Sequence, residues 1–364
     1  MAHWSDLLKQ SYHSIDQLKE LLCLSDEEVR SLTSVQEHYP VFINPYYLSL
    51  VDPGDPDDPI RKMCVPSAAE LEAAGRADTS GEESNTVLPG VQHKYTQTAL
   101  LLTTNQCAMC CRHCFRRRMV GVENEETITD IPQAVHYVRD HGEINNVLVS
   151  GGDSFLNSNE TIETYLSLLC EIDHLDFIRF GTRTPVVLPQ RITEDDELKE
   201  ILQKYAGIKQ LYVITQFNHP REITPESSLA IRELTSMGIP VRNQAVLLKG
   251  VNDDPDVLSD LLQGLTKIGV IPYYIFQCRP VIGVMNHFQV PLRTGYKIIE
   301  QTMNRQSGPA KHFRYIMSRE PGKAEILGMR DEDTMLFKSH QAKDEADKGR
   351  IFEEKIAEDQ CWLE

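Results

Sequence analysis

The sequence predicts an α/β protein built on an open portion of a TIM-like barrel, a partial (β/α)6, with an N-terminal helical extension and a C-terminal segment closing the site. Three observations predict it. Short β-branched runs recur at roughly thirty-residue intervals, the length of a parallel βαβ repeat. Amphipathic helical patterns fill the gaps between them, and residues 1–90 lack the alternation altogether.

Taken in order, the extension over 1–90 reads as helical at 25–38 and again at 68–78, with a loop rich in Pro and Asp at 51–62 between them. The barrel spans 91–290. Its strands are YTQTALLLTT (95–104), NVLVS (146–150), DFIRFGT (176–182), KQLYVIT (209–215), IPVRNQAVLL (239–248) and VIPYYIF (270–276). Each is a short apolar, β-branched run of the kind that forms a buried strand. Between them, Ile162, Tyr165, Leu166 and Leu169 share one helical face, as do Val257, Leu258, Leu261, Leu262 and Leu265. The latter helix has Asp254 to cap it, Pro255 at its first position and Gly269 just past its end. A C-terminal segment follows over 291–340, and the charged run after it reads as a solvated terminal helix over 341–364. In barrels of this kind chemistry gathers at the carboxyl ends of the strands.

The formal charge of −17 argues against nucleic acid and anionic membranes as partners, because both would repel the chain. No apolar stretch approaches the roughly eighteen residues of a membrane-spanning helix. The N-terminus MAHWSDLLKQSYHS has neither a basic leader nor a signal core, so the expected location is cytoplasmic and the expected substrate a small molecule. Nine cysteines, an odd number without a secretion signal, point to metal binding or catalysis rather than disulfides.

Four of those cysteines lie in TTNQCAMCCRHCFRRR, directly after the first barrel strand. Cys107, Cys111 and Cys114 give C-x3-C-x2-C, three thiolates for a [4Fe-4S] cluster that normally takes four. One iron is then open to chelate the amino and carboxylate groups of S-adenosylmethionine. Cys107-x2-Cys110-x3-Cys114 is the alternative triplet, and a zinc knuckle the alternative metal site. Zinc would want a fourth ligand at tetrahedral spacing, and His113 lies between two cysteines in an unsuitable direction.

The motif resembles that of the radical S-adenosylmethionine superfamily. VLVSGGD (147–153), one βα unit later, resembles its Gly-Gly-acidic motif, in which Gly151, Gly152 and Asp153 let the methionine amino group approach bare backbone. The likeness narrows to the lysine 2,3-aminomutase family through DPDDPIRK (55–62), CRHCFRRR (111–118), GTRTPVVLPQRIT (181–193), FNHPREIT (217–224), NQAVLLKGVND (243–253) and PYYIFQC (272–278), all in family order.

That resemblance implies an isomerase that uses the cluster, S-adenosylmethionine and pyridoxal 5'-phosphate to move an amino group from C2 to C3 of an amino acid held as an imine. It implies an external electron donor and a homodimer or larger assembly. Lys323, on a Gly-containing turn, matches the pyridoxal lysine, and Lys94 and Tyr95 match the pair that contacts the cofactor. Arg116 matches the arginine for the substrate carboxylate, and His113 and Gln244 match positions lining the S-adenosylmethionine pocket. Departures are as informative. Thr98 stands where a basic residue is expected, Gly322 alone remains of a glycine run, and the lone Cys361 does not carry the clostridial zinc site over. Arg279 and Ser318 replace two aspartates that pair lysine's distal ammonium, so the substrate is expected to be acidic or polar rather than lysine. Competing functions are modification of a lysine within a protein, a radical enzyme without pyridoxal phosphate, and a non-catalytic iron–sulfur redox protein. The last gains nothing from an open iron, a Gly-Gly-Asp turn or Lys323.

Overall fold

A computed structural model describes residues 4–122 and 125–363, so the first three residues of the N-terminal stretch lie outside the described residues. Twelve strands form one sheet in chain order. β1 (Thr86–Leu88) and β2 (Val91–Tyr95) run antiparallel into β3 (Thr98–Leu102). Parallel pairing then carries through β4 (Asn146–Ser150), β5 (Phe177–Gly181), β6 (Gln210–Thr215), β7 (Val241–Leu247) and β8 (Ile271–Gln277). These are the six expected strands. A further parallel strand, β9 (Arg314–Arg319), extends the run, and β10 (Gly322–Met329), β11 (Thr334–Ala342) and β12 (Ile351–Lys355) follow antiparallel.

Helices at Ile131–Asp140, Asn159–Cys170, Asp196–Ala206, Pro225–Ser236, Pro255–Lys267 and Leu292–Asn304 follow β3 to β8 in turn. The penultimate one shows why they start and stop where they do. The Asp254 carboxylate accepts from the Asp256 and Val257 amides at 2.8 and 3.2 Å, Pro255 has no amide to leave orphaned, and Gly269 takes φ +88° beyond the end. Strand β7 shows what the sheet separates. Val241, Asn243, Ala245 and Leu247 are buried against the helices, while Arg242, Gln244 and Val246 alternate inward and stay half-exposed. Polar inward positions keep the barrel from filling with apolar layers, and a cavity remains.

Three expectations fail locally. The described residues 341–363 form no α-helix: they complete β11, turn at 345–347 and return as β12, which pairs with β11 and stacks Phe352 on Phe337 at 5.4 Å. Gly349 at φ +76° allows the reversal, and pairing with β11 overrides helix propensity. The helix over 68–78 shrinks to one turn at Ala68–Leu71, because Gly75 at φ +108° sends Arg76 into a bridge with Val281. Lys323 lies on β10 rather than on a turn; the turn itself is Glu320–Pro321. Among the described residues no helix is long and apolar enough to cross a membrane.

Candidate active site

The inward faces and carboxyl ends of the strands enclose a cavity of about 670 Å³, and every site residue singled out from the sequence lines it. The cysteine loop is held from behind by the extension. Cys110 N–H donates to the Phe42 carbonyl and Arg112 N–H to the Met63 carbonyl, both at 2.9 Å. The buried Arg112 guanidinium grips Glu70 through both oxygens at 3.0 and 2.5 Å, and Arg117 adds a third bond to Glu70 at 2.6 Å. So fixed, the loop presents Cys107, Cys111 and Cys114 to the cavity, while Cys110 packs away from it with Leu102, Met119 and Val120. Among the described residues no three His, Cys, Asp or Glu side chains converge as around a single ion.

Gly151 and Gly152 answer to that loop. A Cβ on Gly151, whose φ is +128°, would stand 2.3 Å from the Thr104 carbonyl oxygen, and one on Gly152 would stand 2.3 Å from that of Gln106. Gly152 and Asp153 amides donate to those same carbonyls at 2.6 and 2.7 Å. The Asp153 carboxylate is spent internally, accepting from Thr182 Oγ1, the Arg183 amide and the Phe155 amide. Asp153 therefore ties the β4 end to the β5 end, and burial raises its carboxyl despite these donors.

Arg183, which sequence reasoning passed over, donates Nη1 to Cys111 Sγ at 2.8 Å, Nε to the Gln216 carbonyl at 2.9 Å and Nη2 to Glu222 at 2.5 Å. Its position at the carboxyl end of β5 was the available signal. Close by, His113 Nε2 faces the Gln216 and Asn218 side-chain amides at 3.0 and 3.2 Å, which places the ring proton on Nδ1, a buried atom without a partner. Burial, aided by Arg183, holds this ring well below the usual histidine range and so neutral. Gln244 faces the same cavity from β7.

Across the cavity, Lys323 and Ser318 are direct partners on the β9–β10 hairpin. Gly322 at φ +149° lets β11 pass so close that a Cβ would meet the Gln341 carbonyl oxygen at 2.1 Å. The Lys323 amine donates to the Gln341 side chain at 2.7 Å and lies 5.3 and 5.4 Å from the Tyr95 and Tyr274 ring centres. Burial pushes it down to about 7, with help from Arg179, Arg279 and Lys94, so a neutral nucleophilic fraction exists near neutral pH. Burial pushes the Tyr95 hydroxyl up to about 12. Lys94 spans the open seam of the barrel, donating to the Ser80 and Arg319 carbonyls at 3.0 and 2.8 Å. Burial, then Arg279, brings it down to about 8.

Two arginines share the Phe115 ring, Arg116 at 4.6 Å and Arg279 at 4.4 Å from its centre. They differ in their partners. Arg116 Nε donates to Glu82 at 2.7 Å, and Arg118 takes the other carboxylate oxygen at 2.6 Å. Burial alone would raise the Glu82 carboxyl, but these cations hold it down at about 2. Arg279 has hydroxyls instead: Ser318 at 2.8 Å, Thr79 at 3.4 Å and Ser80. Burial, only partly offset by Glu82, brings Arg279 down to about 10.

A cysteine loop after the first parallel strand, a Gly-Gly-Asp turn after the second and one cavity between them define a radical S-adenosylmethionine enzyme, and the Radical SAM superfamily model matches residues 101–262. The chain is 42% identical to the L-lysine 2,3-aminomutase of Clostridium subterminale over 313 residues, covering 84% of this chain and 74% of that one. It is 41% identical to the L-lysine 2,3-aminomutase of Acetoanaerobium sticklandii over 308 residues, 84% and 73% of the two chains. It is equally, at 41%, identical to the glutamate 2,3-aminomutase of Clostridioides difficile over 298 residues, 81% and 69%. The chain belongs to the lysine 2,3-aminomutase family, and is a radical S-adenosylmethionine 2,3-aminomutase, an isomerase.

Proposed function

We propose that the chain interconverts a free α-amino acid carrying an acidic side chain, glutamate being the model, and its β-amino isomer, with pyridoxal 5'-phosphate bound at Lys323. One observation carries the choice of substrate: Arg279 is a partly buried guanidinium in the cavity wall answered only by hydroxyls, at the position where the family resemblance implies an aspartate for lysine-specific members. A buried cation without a carboxylate is costly by itself and is relieved by an anionic ligand. Similarity to curated relatives does not decide the matter, since lysine and glutamate enzymes match equally well.

The site residues fit the cofactors. Cys107, Cys111 and Cys114 supply three thiols for the cluster, and His113 offers an unpartnered Nδ1 donor beside them. The Lys323 amine, kept partly neutral, suits attachment to an aldehyde. When bound, the cluster with S-adenosylmethionine supplies a hydrogen-abstracting radical and pyridoxal phosphate a conjugated carbonyl on which nitrogen can migrate. The chain's own residues bind and orient. The Arg116 fork, braced at Nε by Glu82, keeps its outer nitrogens for the α-carboxylate. Arg279 and Ser318 take the side-chain carboxylate. Asp153 and Arg183 fix the β5 end against the cysteine loop, holding both halves of the site in register.

The direct test is anaerobic incubation of reconstituted protein with S-adenosylmethionine, a reductant and a panel of amino acids, with analysis for β-amino products. β-Glutamate as the main product is expected. β-Lysine as the sole product would overturn the substrate assignment.

A further inference from the structure

Arg179 is the second partly buried guanidinium of the cavity that no carboxylate answers. It projects inward from β5, and its one hydrogen bond runs from Nη2 to the Asn146 side-chain oxygen at 2.5 Å. Its Nε is buried without a partner. Among the described residues no Asp or Glu lies within ion-pair distance of it, and burial lowers its basicity. Arg242 lines the same cavity from β7, its guanidinium 5.5 and 5.4 Å from the Tyr212 and Tyr273 ring centres. Two guanidiniums on one cavity wall, Arg179 against the Phe177 ring with a free N–H and Arg242 against two tyrosines, make a pocket for a strongly anionic group.

Position decides which anion. Asn146, the partner of Arg179, also donates to Thr98 Oγ1 at 3.1 Å. Thr98 opens β3, where the family resemblance implies a basic residue, so Arg179 brings a cation from two strands away to a spot the sequence leaves neutral. On the other side, Arg179 lies close enough to Lys323 to lower the basicity of its amine, which sits 5.4 Å from the Tyr274 ring centre. Arg279 and Ser318 lie beyond Lys323 in a separate subsite.

We infer that Arg179, oriented by Asn146 and flanked by Arg242, holds the phosphate of pyridoxal 5'-phosphate in place of the basic residue missing at Thr98. The inference rests on attachment of the cofactor to Lys323. It makes Arg179 a cofactor-binding residue distinct from the arginines that choose the substrate.

The test compares two ligands on the full chain by absorbance titration: pyridoxal phosphate and pyridoxal, which has the same ring and aldehyde without the phosphate. Arg179→Gln should weaken pyridoxal phosphate by roughly tenfold or more, as for a lost charge-assisted bond, and change pyridoxal less than about twofold. Thr98→Arg placed on Arg179→Gln should restore most of the lost affinity. Should the Gln variant not fold, Arg179→Lys keeps the charge without the fork and should cost pyridoxal phosphate severalfold, again sparing pyridoxal. Unchanged pyridoxal phosphate affinity, or equal loss for both ligands, overturns the inference. Borohydride trapping of pyridoxal by the wild-type chain separates the two readings. Absence of label on Lys323 removes the parent proposal, whereas label on Lys323 with no phosphate-selective loss removes only this one.

Discussion

Arg279→Asp reverses the charge at the subsite proposed to receive the substrate side chain. A substrate carboxylate about 4 Å from the guanidinium gains roughly 4 kcal/mol at an effective dielectric of about 20, and an ammonium there loses as much. Part of this is returned as desolvation, so two to three powers of ten in kcat/KM, at about 1.4 kcal/mol each, is the expected loss for glutamate. Packing one methylene more or less changes discrimination by only about 1–3 kcal/mol, so charge outweighs length. The variant should therefore lose glutamate turnover and gain lysine turnover, while Arg279→Met loses the first without gaining the second. Arg116, which shares the Phe115 ring but is paired with Glu82, remains to hold the α-carboxylate in both. Stability provides an independent check: removing a buried cation that has no counterion should leave the melting temperature of Arg279→Met no lower than wild type. Efficient lysine turnover by the wild type, abolished in Arg279→Asp, would refute the charge argument.

Five further outcomes are expected. Cys107→Ala, Cys111→Ala and Cys114→Ala should each abolish S-adenosylmethionine cleavage, whereas Cys110→Ala should retain its iron, measured by iron content and nucleoside release. Borohydride with pyridoxal phosphate should label Lys323, seen by peptide mapping. Because the folded amine sits at about 7, below its ordinary 10.5, the unfolded chain binds the extra proton between those values, so this group makes stability rise with pH from about 7 and fall as pH drops through it; Lys323→Met should flatten that rise in apo melting curves. Arg183→Met should lower the cluster's midpoint potential in an EPR titration by removing a cation and an N–H donor from Cys111 Sγ, with Arg183→Lys between it and wild type. Gly151→Ala should destabilise the chain and reduce iron loading together, because its Cβ would strike the Thr104 carbonyl oxygen.

The six parallel strands were legible to within a few residues, because each carries a continuous apolar face against its helix and ends at a turn residue. Strand β9 was not. Its six residues lead into a hairpin rather than a helix, so the alternation that marks the others is missing. The terminal helix was misread because its alternating charges suit an exposed strand equally well, and only pairing with β11 decides. In the site, motif residues were found because they are contiguous. Arg179 and Arg183 were missed because their meaning comes from Asn146, Thr98, Cys111 and Glu222 on other strands, contacts that no local pattern encodes. Arg279 was legible only as a departure from the aspartate that the resemblance implies for lysine-specific members.

The grip of Glu70 on Arg112 and Arg117 gives the cysteine loop a frame made entirely of protein. Small metal-folded modules gain their shape from the ions they bind, and collapse when chelated. Here the carboxylate comes from a turn some forty residues upstream, and its oxygens are already committed before iron arrives. Oxygen or a chelator can then strip the cluster without erasing the mould that shaped it. Repair becomes a matter of chemistry, delivering iron and sulfide to a waiting cradle, rather than of refolding the chain around them.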